Sequence, residues 1–226
     1  TPHQSSAASD VYKRQILGMP EAPKLVQELQ ARLEQEQQRK QEFYNLITTE
    51  ENKTEFINGE IIIQSPVKKQ HNEYSGLLYQ LLNIYVTKND IGFVGIEKVM
   101  ISLTRNAYEP DVCYFTKEKS DGFESTQSLF PAPNLIVEFV SPKTEHRDRG
   151  IKFADYQNHG VAEYWIISPE TKVVEQYHLV NRKYELVKKS NNGEIESYAV
   201  KGFKIPIEAI FDKGINLRVL GGFLKS

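Results

Sequence analysis

Two acids stand in stretches of this sequence that are otherwise apolar. Glu138 interrupts Leu135-Ile136-Val137-Glu138-Phe139-Val140, a run apolar on both faces and therefore a buried central strand. An unpaired carboxylate there would cost several kcal/mol, about what desolvating an ion demands, so Glu138 is either paired with a cation, hydrogen-bonded, or bound to a metal. Asp111 follows Pro110 at the mouth of a second apolar strand, Glu109-Pro110-Asp111-Val112-Cys113-Tyr114-Phe115. A Pro-Asp dipeptide alone is a turn signal. Beside the strand of Glu138, it supplies the other half of a carboxylate pair. Two such acids on adjacent strands suit a hard divalent cation, with water and phosphate oxygens completing its shell. Such an ion can polarise a phosphodiester and lower the pKa of a water. Lys152 lies on the helix expected after the Glu138 strand, where a long cationic side chain reaches back over the sheet. There it would orient the attacking water or steady charge developing on phosphorus. The plainer alternatives are a structural salt bridge for Glu138 and, for Lys152, an exposed helix pair with Asp148 four residues earlier.

The elements that must hold these residues follow from pattern. Glu55 to Gln64 reads as a hairpin turning at Asn58-Gly59. His71 to Val86 reads as an amphipathic helix with Leu77, Leu78, Leu81, Leu82 and Tyr85 inward. Strands are predicted over Gly92–Leu103, Glu109–Phe115 and Leu135–Val140, then a helix from about Glu145 to Asn158 closed by Gly160. A strand over Ala162–Ser168 follows, then a hairpin of Val173–Leu179 with Tyr184–Lys188, and short closing elements over Ser197–Leu217. Strands, then a helix crossing to a further strand, predict an α/β fold with a mixed sheet flanked by helices. Trp165, between apolar neighbours, is expected in the core rather than on a base-stacking surface.

The amino-terminal stretch reads differently. Residues 5–15, SSAASDVYKRQ, resemble the translation of a transposase sequencing-library adapter. Thr1–Gln15 is therefore set aside as non-native. The native start is expected to be lost or to lie near Met19, and residues 1–20 are expected to form a non-native or disordered tail. Residues 21–47 have the composition of a helix, with Leu25, Val26, Leu29 and Leu33 on one stripe, either exposed or packed on a partner. Residues 48–226 make up the expected catalytic domain.

Bulk composition narrows the function. The chain has 226 residues, 39% hydrophobic and 26% charged, with net charge −2. That allows a sizeable core and argues against a histone-like basic binder. A single cysteine, Cys113, excludes an internal disulfide and any multi-cysteine zinc site, and its strand context predicts a buried thiol. His3, His71, His146, His159 and His178 show no metal-ligand spacing. Phosphate-loop, dinucleotide, HExxH and GxSxG motifs are missing. With no long apolar run and no signal peptide, no membrane association is expected, and a cytoplasmic location is.

Taken together, EFINGEIIIQSP followed by His71, then EPDVCYF, IVEFVSPKT, DRGIKFADYQNHGVAEYWIISP and KGFKIPIEAIF resemble the Uma-two family, in the PD-(D/E)xK nuclease superfamily. The resemblance spans Glu55 to about Phe211. It implies a restriction-endonuclease-like core and an Mg²⁺-dependent DNA endonuclease, with Mn²⁺ as a substitute ion, that leaves a 5′-phosphate. Asp111 and Glu138 would bind the metal and Lys152 would assist the water. A standard motif places lysine two residues after Glu138, where this chain has Val140. Lys152 on the following helix is the matching position, with Lys143 as the fallback. Glu60 also matches a family position, as a third acidic ligand or a partner of Lys152, or else as an exposed strand acid. His71 and Tyr156 are candidate accessory residues; the first could instead be a cap or surface histidine, the second a core tyrosine. A homodimer is expected from family company. The rival reading is a catalytically inactive nuclease fold that binds nucleic acid or a protein partner.

Overall fold

The computed structural model describes residues 4–47 and 53–225. These form two compact units. One carries the amino-terminal helices and Asn58–Glu60; the other holds the chain from Lys53 to Ile57 and from Ile61 onward. In the first, α1 (Gln4–Leu17) takes in most of the segment expected to lack order. Nothing between Gln4 and Leu17 breaks a helix, and Gly18 and Pro20 follow it. The second helix, α2 (Ala22–Ile47), leaves Val26, Leu29 and Leu33 exposed, as their isolated stripe suggests.

Along the chain the expected hairpin follows, β1 (Thr54–Ile57) and β2 (Glu60–Ile63). Asn58 and Gly59 turn it with φ of 52° and 85°, both in the left-handed region that this turn requires. Next come α3 (Lys69–Asn89), β3 (Gly92–Ile96), β4 (Met100–Ser102), β5 (Ala107–Tyr108) and β6 (Val112–Thr116). A short helix α4 (Lys117–Ser120) leads to β7 (Leu129–Phe130) and β8 (Leu135–Phe139). Helices α5 (Glu145–Asp148) and α6 (Ile151–Asn158) cross over to β9 (Glu163–Ser168), and a long hairpin follows, β10 (Val173–Val180) with β11 (Lys183–Ser190). The chain closes with β12 (Glu194–Glu196), β13 (Lys204–Pro206), a 3₁₀ turn (Ile207–Ile210) and α7 (Lys213–Lys225).

A six-stranded sheet, in the order β11-β10-β9-β8-β6-β3, is the platform for the site. Only β8 and β9 run parallel in it, joined by the α5–α6 crossover; its other pairs are antiparallel. Strand alternation assigns its faces. Val112, Tyr114, Leu135, Val137, Phe139, Trp165 and Ile167 pack with Leu77, Leu78, Leu81 and Leu82 of α3 in one apolar cluster. Cys113, Phe115, Ile136 and Ile166 pack with Tyr156 of α6 in the other, together with Ile57, Ile101 and Tyr108 of a five-stranded sheet ordered β2-β1-β5-β4-β7. Each fully buried side chain of this size stabilises the fold by ~1.5–3 kcal/mol.

Two predicted elements divide. The strand expected over Gly92–Leu103 breaks at Glu97, whose φ is 51°, and its halves join different sheets. The helix expected over Glu145–Asn158 breaks at Gly150. A Cβ there would stand 2.6 Å from the His146 carbonyl oxygen.

Candidate active site

Register brings the two predicted acids together. Val112 of β6 pairs with Val137 of β8 antiparallel, so Asp111 and Glu138, one residue further on each strand, lie across from one another. By alternation Glu138 shares the face of Ile136, the face covered by α6, and Asp111 shares that of Cys113. The link is direct: the Phe139 backbone N–H donates to Asp111 Oδ2 at 2.7 Å.

Helix α6 supplies the cation. The Lys152 Nζ lies 2.7 Å from Glu55 Oε1, 3.0 Å from Glu138 Oε1 and 3.2 Å from Asp148 Oδ1. It also stands over the Tyr108 ring, 5.6 Å from its centroid. The Lys152 side chain is 4% exposed, so the Asp148–Lys152 pair exists but does not lie on a solvated face. Tyr156, one turn along α6, donates its hydroxyl to Glu138 Oε1 at 3.1 Å. The tyrosine is therefore both buried in the core and in contact with the site acid.

Asp111 has a cationic partner of its own. Lys53 Nζ is 2.6 Å from its Oδ1, and His71 Nε2, on the first turn of α3, is 3.2 Å from the same oxygen. The His71 ring leans on Phe139, with centroids 5.8 Å apart, so this histidine neither caps its helix nor lies free on the surface. Glu60 is exposed on β2, and the hairpin acid that meets Lys152 is Glu55. Lys143 is exposed on the pocket wall, whereas Lys152 contacts Glu138 directly. The pocket holds about 440 Å³ and is lined by Lys53, Glu55, His71, Asp111, Glu138 and Lys152, with Lys143 and Arg147 on its wall.

Sequence reasoning passed over Lys53 and Glu55. One signal was available: Lys53 and Glu55 are two apart at the start of a strand, so both side chains leave the same face. Asp148 was visible only as a helix-pair partner.

The electrostatics follow from burial. Four carboxylates, those of Glu55, Asp111, Glu138 and Asp148, each no more than 4% exposed, face the two ammonium groups of Lys53 and Lys152. With all of them ionised, two negative charges stand uncompensated, His71 aside. Burial pushes the Glu138 carboxyl up to about 8 against the pull of Lys152, with Asp148 and Asp111 adding to the push. Burial likewise raises Asp148. Burial would also raise Asp111, but Lys53 and His71 reverse the effect and hold it below the usual carboxylate range. For Lys152, its acidic neighbours outweigh the lowering effect of burial and keep the ammonium charged.

The donor set suits a hard divalent ion. Glu55 Oε2 is buried with no hydrogen-bond partner among the described residues. No three His, Cys, Asp or Glu side chains among the described residues already form a ready-made ligand cluster. Magnesium does not need one, since one or two carboxylates with water and phosphate oxygens complete its shell.

A family model described as "Putative restriction endonuclease" matches residues 40–208 of this chain. The chain belongs to the Uma2 family. The match contains each of the site acids, together with Lys53, His71 and Lys152. Two uncharacterized proteins of Synechocystis are similar to this Uma2 chain. One is 28% identical over 148 residues, covering 64% of this chain and 83% of its own length. The other is 32% identical over 128 residues, covering 56% and 66%. In architecture the chain is similar to the crystal structure of a "putative nuclease" belonging to DUF820 from Anabaena variabilis. The TM-score is 0.60 at 18% identity, over 70% of this chain and 89% of the other. The Uma2 chain thus shares the mixed α/β fold of that structure. Among the described residues, no helix is long and apolar enough to cross a membrane.

Proposed function

We propose that this chain is a metal-dependent DNA endonuclease that hydrolyses phosphodiester bonds. The observation that carries this reading is the buried cluster in the pocket: Asp111 and Glu138 on adjacent strands, with the Lys152 ammonium 3.0 Å from Glu138. Asp111 and Glu138 would hold Mg²⁺ or Mn²⁺, with the unpartnered oxygen of Glu55 beside them. A divalent ion in that place supplies Lewis acidity, polarising a phosphoryl oxygen and lowering the pKa of a water. The protein does the rest by position. Tyr156 and Lys152 both hold Glu138 through Oε1, which fixes the orientation of its carboxylate. Lys152, fixed by three acids, presents a charge that needs no rearrangement as negative charge builds on the phosphoryl oxygens. Lys143 and Arg147 line the pocket wall and would meet backbone phosphates.

Cleavage of supercoiled plasmid by the full chain tests this, with Mg²⁺, Mn²⁺ or EDTA, comparing wild type with Asp111→Asn, Glu138→Ala and Lys152→Ala. Folding of each variant is checked by circular dichroism. Metal-dependent nicking lost in all three folded variants supports the assignment. Nicking that survives Lys152→Ala removes the lysine from the chemistry. A folded wild type that binds DNA and cleaves neither plasmid nor a varied set of sequences would be an inactive binding module.

A further inference from the structure

Lys53 and Lys152 divide the four buried acids between them on different terms. Lys152 is 4% exposed and bridges three carboxylates, standing over the ring of Tyr108. Lys53 is 16% exposed, lines the pocket and, among the described residues, forms its ion pair with Asp111. It precedes β1, so its four-carbon stem enters the pocket from the end of a strand.

The oxygen it holds is the one an ion would need. Asp111 Oδ2 already accepts the Phe139 N–H, so Oδ1 is the less engaged side toward the pocket, where Lys53 Nζ stands 2.6 Å and His71 Nε2 3.2 Å from it. A magnesium ion bound through that oxygen would sit at roughly 2.0–2.1 Å. An ammonium group and a dication cannot both occupy that place, because their repulsion in a partly buried site is weakly screened. Lysine suits a temporary occupant, being a compact charge on a flexible stem. The total charge agrees: exchanging Lys53 for a dication at Asp111 reduces the negative excess of the four acids.

Building on the metal-dependent nuclease reading, we infer that Lys53 is a displaceable internal cation. Its ammonium balances Asp111 while no divalent ion is bound. Entry of the ion drives it off Oδ1 into the pocket, where it joins Lys143 and Arg147 as a contact for phosphate oxygens. Lys53 is thus a positioning residue that couples ion entry to readiness for the substrate backbone.

Calorimetric titration of the full chain with Mg²⁺ and with Ca²⁺ tests this without reference to cleavage. Wild type is compared with Lys53→Gln, Lys53→Arg and Asp111→Asn. If the ammonium occupies Oδ1 about 90% of the time, Lys53→Gln should bind the ion about tenfold more tightly. Lys53→Arg should bind it more weakly than wild type, because a forked guanidinium grips a carboxylate with two hydrogen bonds. That order, Gln tighter than Lys and Lys tighter than Arg, is the expected result. If wild type binds the ion through Asp111 but Lys53→Gln binds it equally or less tightly, displacement is overturned and the nuclease reading stands. If Lys53→Gln does not fold, Lys53→Arg decides alone, and binding as tight as wild type overturns the inference. If no form shows binding that Asp111→Asn abolishes, both the inference and the metal-dependent reading fall.

Discussion

Because the Lys152 ammonium serves Glu55, Glu138 and Asp148 together, removing it strands three buried acids at once. Lys152→Met should therefore lower unfolding free energy by about 3–5 kcal/mol, the usual cost of breaking a buried ion pair from one side. Urea denaturation measures it. Adding Glu138→Gln to that variant should recover about 1 kcal/mol or more, since a carboxyl that must take up a proton to stay buried is gone and the two sites are in contact. Strictly additive losses would mean that Lys152 and Glu138 are not coupled. The same physics explains what could be read from the residues alone. Glu138 and Asp111 were legible because a charge inside an apolar run demands a partner. Glu55 was not, since an acid in a four-residue strand looks like ordinary alternation until the strand is placed in space. Lys53 is a long-range partner, 58 positions from Asp111, and no local pattern carries that contact.

The break between α5 and α6 is the element on which the cluster depends. It places Asp148 at the end of one helix and Lys152 in the first turn of the next, both buried. Tyr164 anchors the first of these by donating its hydroxyl to the Asp148 carbonyl oxygen at 3.0 Å. Gly150 makes the break possible. A Cβ at this position would meet the His146 carbonyl oxygen at 2.6 Å, so the glycine lets the chain pass close to the end of α5. Gly150→Ala should cost about 1–3 kcal/mol, because a Cβ 2.6 Å from the His146 carbonyl oxygen forces the backbone to shift. Thermal melts would show the loss, and the plasmid assay should show weakened nicking because Lys152 shifts with its helix. An unchanged melting temperature would mean that the junction relaxes without strain. Element type was largely readable from sequence: the hairpin at Asn58-Gly59, the amphipathic α3 and the buried β8 all follow from periodicity and turn chemistry. Boundaries were not. A glycine inside a helical pattern is often tolerated, so only packing decides that Gly150 divides one predicted helix into two. The split of β3 from β4 likewise depends on which sheet each half joins.

For the whole chain, the modest net charge conceals an uneven distribution that stability should reveal. Glu138 is raised to about 8, and Asp148 and Glu109 are raised as well, in each case first by burial. Asp111 and Glu163 are lowered, and Glu175 falls to about 2; their ionic and hydrogen-bonding partners overcome the burial that would raise them. The two groups act in opposite directions. A raised carboxyl holds its proton in the folded state after the unfolded chain has released it, so stability falls as pH climbs from the ordinary carboxylate value toward the raised one. A lowered carboxyl stabilises the fold above its ordinary value, and that contribution disappears as pH falls toward the depressed one. With EDTA present, the melting temperature should therefore peak near about pH 5 and decline toward pH 8. Excess Mg²⁺ should flatten the decline, because the ion replaces protons as the neutralising charge. At 100 times its dissociation constant it would add about 2.7 kcal/mol. Glu138→Gln separates this site from other titrating groups: it should flatten the slope in EDTA and lose most of the Mg²⁺ response. A melting temperature that instead climbs steadily from pH 5 to pH 8 in EDTA would mean the four acids are already compensated. The case for a dication completing the cluster would then lose its electrostatic basis.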